Sequence, residues 1–192
     1  MSAAPLLRFE NVGCLRGGRL LFEGLDLELG EGEALLVTGP NGAGKSSLIR
    51  TAAGLLPPAV GTIQRCDRIA LADEALALDE RLALERALGF WAGLDGGGAA
   101  EGMEAMGLMR IARVPVRMLS TGQRKRAAIA RVIASRAPLW LLDEPANGLD
   151  SDGQLLLAGA IAEHRRQGGA VLAASHQPLG MEPSRTLELK AR

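Results

Sequence analysis

Residues Gly39 to Ser46 read GPNGAGKS, a full match to the spacing G-x-x-x-x-G-K-[ST]. That spacing suits phosphate chemistry. Gly39, Gly42 and Gly44 free the backbone to curl through Pro40, Asn41 and Ala43, so that successive N–H groups converge on an anion. Lys45 brings a point charge to the outer phosphate oxygens. Ser46 offers a hydroxyl to Mg²⁺, and Ser47 continues the first helical turn beneath the phosphates. The chain uses 19 Arg among 22 basic residues, yet position 45 is Lys. A slim ammonium fits a narrow loop where a guanidinium fork does not.

A second acid-rich motif lies about a hundred residues on, in PLWLLDEP. An apolar strand there would carry Asp143 to the end of a sheet, beside bound phosphate, as a Mg²⁺ ligand. Glu144, one residue later, is suited to polarise a water against a γ-phosphate. His176 follows another apolar run, AVLAAS, on the strand-end edge where ligands bind in such folds, and could contact the same phosphate. Finally, LSTGQ at 119–123 starts a helix with Ser120 and Gln123 in capping-box register. Gly122 sits in that first turn, where Gly costs about 1 kcal/mol relative to Ala. A bare helix start exposes N–H donors, which makes it an anion site in its own right.

The elements that must position these groups follow from patterning. LLRFENV and LFEGLDLEL alternate apolar and polar residues, as half-buried antiparallel strands do. EALLVTG, APLWLLDEP and AVLAAS are short apolar runs, expected of strands buried on both faces. TIQRCDRIALA and RTLELK supply the remaining strands. KSSLIRTAAGLL is predicted as a helix stopped by Pro57 and Pro58, and a helix is expected from about 151 to 167, ending at Gly168 and Gly169. Residues 76–112 change character: DERLALERALGFWAG predicts an amphipathic helix, DGGG a flexible turn and AAEGMEAMGLM a weaker helix. Met103, Met106 and Met109 at i, i+3, i+6 are expected to pack in a core. The whole is an α/β fold, with a mostly parallel sheet covered by helices on both faces, N-terminal antiparallel strands and a small helical insertion.

Composition narrows the class. The 192 residues are 47% hydrophobic, with 22 basic and 22 acidic side chains. A balanced charge argues against a general nucleic-acid or anionic-membrane binder, and the cluster Arg124, Lys125, Arg126 reads better as a solvated face or a neighbour of the nucleotide. Cys14 and Cys66 have no metal-type spacing and are expected as reduced thiols. The N-terminal residues show no signal-peptide pattern, and no apolar run approaches about 18 residues, so any membrane attachment is expected through another chain.

Taken in order, the P-loop, LSTGQ, LLDEP, NGLD and His176 resemble the ATP-binding-cassette (ABC) ATPases. Five ordered motifs carry the resemblance over essentially the whole chain. It implies a P-loop NTPase of ABC type, one domain over 1–192, with a RecA-like core at about 1–75 and 119–192 and a helical subdomain at about 76–118. It also implies ATP and Mg²⁺, and a second copy of the chain in a head-to-tail dimer. There Ser120, Thr121, Gly122 and Gln123 of one copy, with Asp150, would act on the nucleotide of the other. Thr121 stands where the family usually has Gly. Glu74 stands at the family's Q-loop position, where Gln is usual; it can still ligate Mg²⁺ but adds charge. Arg16 stands where the family stacks an aromatic on adenine; its guanidinium plane can stack on the base, or can equally be solvated.

LSTGQRKRAAIAR, LWLLDEPANGLD and SHQPL further resemble the ATPase subunits of bacterial cytochrome c maturation, a haem-exporter complex. That resemblance implies a peripheral subunit on the cytoplasmic face of the inner membrane. Its partners would be membrane subunits resembling CcmB, CcmC and CcmD, and ATP hydrolysis would release the haem-loaded chaperone CcmE. Direct haem binding is not expected: His176 has the phosphate role and His164 falls on an exposed-looking helix. Two alternatives share the ATP motifs: the ATPase of another transporter, differing at Leu76, Leu78, Phe90 and Trp91, and a soluble cassette ATPase.

Overall fold

A computed structural model describes residues 4–183 and 185–190. Its first layer is an antiparallel sheet of order β2-β1-β4, from β1 (Leu7–Arg16), β2 (Arg19–Leu29) and β4 (Val60–Arg65). Gly17 and Gly18, both at positive φ, form the two-residue turn between Arg16 and Arg19. In β1 the buried positions run Leu7, Phe9 and then Val12, Cys14. The alternation slips by one at Asn11, whose φ is +49° and whose N–H donates to Asp26 Oδ1 at 2.7 Å. This bulge keeps the apolar side chains on the core face as the strand bends.

The second layer is a parallel sheet of order β5-β6-β7-β3-β8. Its strands are β3 (Ala34–Thr38), β5 (Ile69–Ala72), β6 (Leu139–Asp143), β7 (Ala170–Ala174) and β8 (Arg185–Glu188). Every residue of β6 and β7 is buried, which explains their unbroken apolar sequences. The sheet divides two cores. Leu139 and Leu141 of β6 pack with Phe9, Leu48 and Ile49 on the side of α1 (Lys45–Ala52) and the antiparallel sheet. Trp140 and Leu142 pack on the other side. There they meet α2 (Leu84–Asp95), α3 (Ala99–Ala105), α4 (Thr121–Ser135) and α5 (Ser151–Arg166), whose core side chains include Leu88, Met103, Ile129 and Ile161.

Several boundaries differ from the sequence expectations, each for a physical reason. The helix α1 ends at Ala52, stopped by Gly54 at φ +76° rather than by the prolines. A Cβ at Gly54 would also lie 2.4 Å from Arg65 Nη2. The helix expected from Asp79 begins only at Leu84. The N–H groups of Leu84 and Glu85 donate to Val114 O and Ala112 O, while Leu82 O and Glu80 O accept from Val116 and Arg117. The chain at 112–117 thus takes over the entry to α2, and the residues before it form a turn, closed by Leu82 N on Asp79 O at 3.3 Å, in place of a helix. The DGGG turn is a tight contact rather than a slack link: a Cβ at Gly97 would sit 1.6 Å from Ala134 O. At Gly102 in α3 it would sit 2.1 Å from Ala130 O, so α3 lies backbone against backbone on α4. Met103 and Met106 are core residues as expected, but Met109 is exposed.

Candidate functional site

Strand β3 runs between β7 and β8 and delivers the chain to Gly39. There φ is +138° and a Cβ would lie 2.2 Å from Leu189 O, so only Gly fits. Gly42 and Gly44 also take positive φ. Gly44 is the N-cap of α1, with no side-chain cap and no acid in the first turn, so the helix's free N–H groups face the loop. Ala43 is buried in the core and contributes backbone alone. Ser47 is buried, and its carbonyl accepts from Thr51 Oγ1.

Arg16, Leu21, Asn41, Gly42, Gly44, Lys45, Ser46, Ser47, Glu74, Glu144, Asn147 and His176 line one cleft of about 560 Å³ at this edge of the sheet. Lys45 is 7% exposed, and its Nζ donates to Gly39 O at 2.9 Å and Pro40 O at 3.3 Å. It also lies 2.8 Å from His176 Nε2, which is itself 2.8 Å from Asn41 Oδ1. One ring nitrogen cannot serve both contacts. Deprotonated, it accepts from Lys45; protonated, it donates to Asn41. The His176 N–H donates to Glu144 Oε2 at 3.2 Å.

Asp143 ends β6, 4% exposed, with Oδ1 buried and unpartnered. Burial pushes its carboxyl above the usual range; a hydrogen bond from Ser46 opposes this, and the charge of Glu144 adds to it. An orphan carboxylate oxygen beside a hydroxyl is a donor set suited to a hard cation such as Mg²⁺. Among the described residues no three His, Cys, Asp or Glu converge on one point. A metal here would therefore need Ser46 and oxygens from outside the protein, as Mg²⁺ commonly does. Glu144 holds φ +48°, with its N–H on Ala174 O at 2.8 Å. Its Oε1 is 3.4 Å from His176 Nε2, without hydrogen-bond geometry.

None of the LSTGQ residues lines this cleft. Ser120 and Gln123 form the predicted capping box: Gln123 N donates to Ser120 Oγ at 3.2 Å, and Ser120 N to Gln123 Oε1 at 2.9 Å. The Oε1 of Gln123 is thereby engaged within its own helix. Thr121 is exposed. Gly122 has a packing reason of its own, because a Cβ there would lie 3.2 Å from Gly148 O. Asp150 caps α5 through Gly153 N at 2.9 Å and pairs with Arg126, and these contacts hold its carboxyl below the usual range.

One residue that the sequence did not single out, and three that it read otherwise or left open, complete the picture. Asn147 lines the cleft from the turn after Glu144, with no pattern to announce it. Lys125 is half-buried; burial lowers its pKa, while Asp143, Asp73, Glu144 and Glu74 pull it back up. It is a neighbour of the acid pair, not part of a solvated basic face. Arg124 is bound to Leu119 O, Arg117 O and Glu80. His164 is not on an exposed face. Its ring stacks on Trp140 at 3.8 Å and 7°, and burial lowers its pKa to about 4. It lines a larger cavity of about 850 Å³ that contains no phosphate-loop residue.

Comparison with known proteins agrees with this geometry. The family model described as ABC transporter matches residues 22–147. The cytochrome c biogenesis ATP-binding export protein CcmA of Sphingopyxis alaskensis is 60% identical over 179 residues, covering 92% of each chain. The protein of the same name from Zymomonas mobilis is 54% identical, over 96% of this chain and 84% of its own. A solved dimeric bacterial ABC transporter cassette superposes with a TM-score of 0.85 at 23% identity, over 96% of this chain and 94% of its own, and shares the fold. The α/β architecture, the phosphate loop and these likenesses agree: this chain belongs to the ABC transporter family, among its cytochrome c biogenesis ATP-binding export proteins.

Proposed function

We propose that this chain is the ATP-hydrolysing subunit of a cytochrome c biogenesis export complex. The observation that carries the reading is the convergence of Lys45, Ser46, Glu74, Glu144 and His176 on one cleft beside a glycine-curled loop. In this reading the backbone of Gly39–Ser47 cradles the phosphates, and Lys45 leaves its loop carbonyls for the outer oxygens. Ser46, Asp143 and Glu74 would hold Mg²⁺, which would neutralise phosphate charge when bound. Glu144 orients the attacking water and accepts its proton as the terminal phosphate leaves ADP. His176 contacts the γ-phosphate. Arg16 borders the base.

The remaining assignments complete the proposal. Residues of about 76–118 form a helical subdomain on a core made of about 1–75 and 119–192. The exposed Phe90, beside half-buried Trp91, belongs to the surface that meets membrane subunits resembling CcmB, CcmC and CcmD on the cytoplasmic face of the inner membrane. Among the described residues no helix is long and apolar enough to cross a membrane. Two copies close head to tail around ATP, with Ser120, Thr121, Gly122, Gln123 and Asp150 of each facing the other's nucleotide. Since Ser120 Oγ already accepts from Gln123 N, it would meet phosphate through its proton. The outcome is release of the haem-loaded chaperone CcmE, without haem bound to this chain.

The test is recovery of the Glu144→Gln protein from native membranes with ATP, with mass spectrometry of what accompanies it. Cytochrome c maturation subunits support the reading. A different permease would replace the export role while keeping the ATPase.

A further inference from the structure

We propose that Trp91 and Arg131 are positioning residues for Glu74: they hold the 71–77 segment at both ends and tie it to the exposed face of α2. The proposal rests on the reading of Glu74 as a Mg²⁺ ligand in ATP hydrolysis.

The segment leaves β5, which lies at the edge of the parallel sheet with β6 as its neighbour. Arg131, one helix away on α4, donates Nη2 to Leu71 O in β5. Past the strand, Asp73 Oδ1 accepts from Ala75 N at 3.0 Å and turns the chain. Glu74 stands at that turn, exposed and lining the cleft. Ala77 then takes φ +51°, a strained value for a residue with a Cβ. Its carbonyl accepts from Trp91 Nε1 at 2.6 Å. Such backbone persists only where its surroundings impose it, and the indole bond is a contact that does so.

The two ends are joined. The Arg131 guanidinium carbon lies 5.2 Å from the centroid of the Trp91 ring, a cation–π distance. Arg131 Nε is buried without a hydrogen-bond partner, and the guanidinium is compensated by the charges of Asp73 and Asp95, the Leu71 carbonyl and the ring face. On the solvent side Phe90, 61% exposed, meets the Trp91 ring edge-on at 5.6 Å and 83°. A chain covering Phe90 therefore presses on the ring that holds Ala77. Helix α2 has separate core anchors in Leu84, Ala87, Leu88 and Ala92. Removing the indole N–H should accordingly release the loop without undocking the helix.

The test uses the full chain and the variants Trp91→Phe, Arg131→Lys, Glu74→Ala and the Trp91→Phe/Glu74→Ala double. Trp91→Phe keeps an aromatic ring for Arg131 and removes the donor, together with part of the indole's packing area. Amide hydrogen exchange at 73–78 should accelerate about fivefold, the effect of one hydrogen bond, with α4 unchanged. The Mg²⁺ concentration for half-maximal ATP turnover should rise by a similar factor, with kcat at saturating Mg²⁺ within about twofold of the parent. Arg131→Lys keeps the charge but loses the fork, and should shift both readings the same way. In the Glu74→Ala background, Trp91→Phe should no longer shift the Mg²⁺ dependence. Unchanged exchange at 73–78 in Trp91→Phe overturns the clamp, as does a Mg²⁺ shift that persists in full without Glu74. Absence of ATP turnover in the parent would instead overturn the ATPase reading, and the exchange data would still decide the clamp.

Discussion

His164 should make the protein acid-sensitive in a defined window. The ring stacks on Trp140, and its Nε2 lies 3.3 Å from Ala170 O. Burial lowers its pKa from 6.5 to about 4. Since the folded pKa lies below the unfolded one, the unfolded chain binds more protons between those values. Stability is therefore full above pH 6.5 and falls as the pH drops toward 4. With those two pKa values, linkage gives a loss of about 2 kcal/mol between pH 7 and pH 5. The ring retains some exposure, so solvent screening reduces this to about 1–2 kcal/mol. For a chain of this size that is a fall in Tm of about 3–6 °C. Other groups titrate too, and the raised Asp143 acts with the opposite sign, so the measurement is a difference. Thermal melts of the parent and of His164→Phe, which keeps a ring on Trp140, should be compared from pH 7.5 to 5. The variant's Tm should fall less with acid by that amount, whatever its absolute value. His164→Gln, without the stack, should show the same reduced slope. Parallel pH curves for all three proteins would refute the buried neutral imidazole.

Four further outcomes are expected. Lys45→Ala should abolish ATP turnover, checked by phosphate release, because the loop then lacks its buried cation. Glu144→Gln should retain ATP and elute as a dimer in size exclusion with ATP; a monomer would refute the closed pair. Gly102→Ala drives a Cβ to 2.1 Å from Ala130 O and should cost about 2–3 kcal/mol in urea unfolding, unless α3 shifts. Haem titrated into the pure chain should give no Soret band that saturates at one per chain and disappears on His→Ala substitution.

The legible parts of this molecule were the local ones. The phosphate loop is written in adjacent residues: Gly39, Gly42 and Gly44 impose the curl, and Lys45 follows in register. The apolar runs of β6 and β7 announced a sheet covered on both faces, and Ser120 with Gln123 announced its own cap. What could not be read depends on residues far apart in sequence. The start of α2 is set by 112–117, whose carbonyls take the N–H groups of Leu84 and Glu85. His164 looks exposed on its helix, yet Gly169 leaves room for its ring and Trp140 supplies the stacking face. In the sequence Gly122 reads only as part of an anion site, and the close approach of the Gly148 carbonyl, 3.2 Å from where a Cβ would stand, is a second reason for glycine that the sequence does not show. Asn147 lines the cleft from the turn after Glu144 with no motif to mark it, and only the fold decides that Lys125 neighbours Asp143 and Glu144 rather than a solvated face.

The chain's preference for arginine acquires a meaning on α4. Arg124 satisfies three acceptors at once: Leu119 O from Nε, Glu80 from Nη1 and Arg117 O from Nη2. Arg136 presents Nε and Nη2 together to Glu101, and Arg126 reaches the residue that caps the next helix. A single ammonium cannot answer acceptors spread around a planar fork. Drift in nucleotide composition that exchanges arginine codons for lysine codons would be tolerated where a basic side chain only meets water. At Arg124 the same exchange would forfeit acceptors that only the fork can reach together, however conservative it looks.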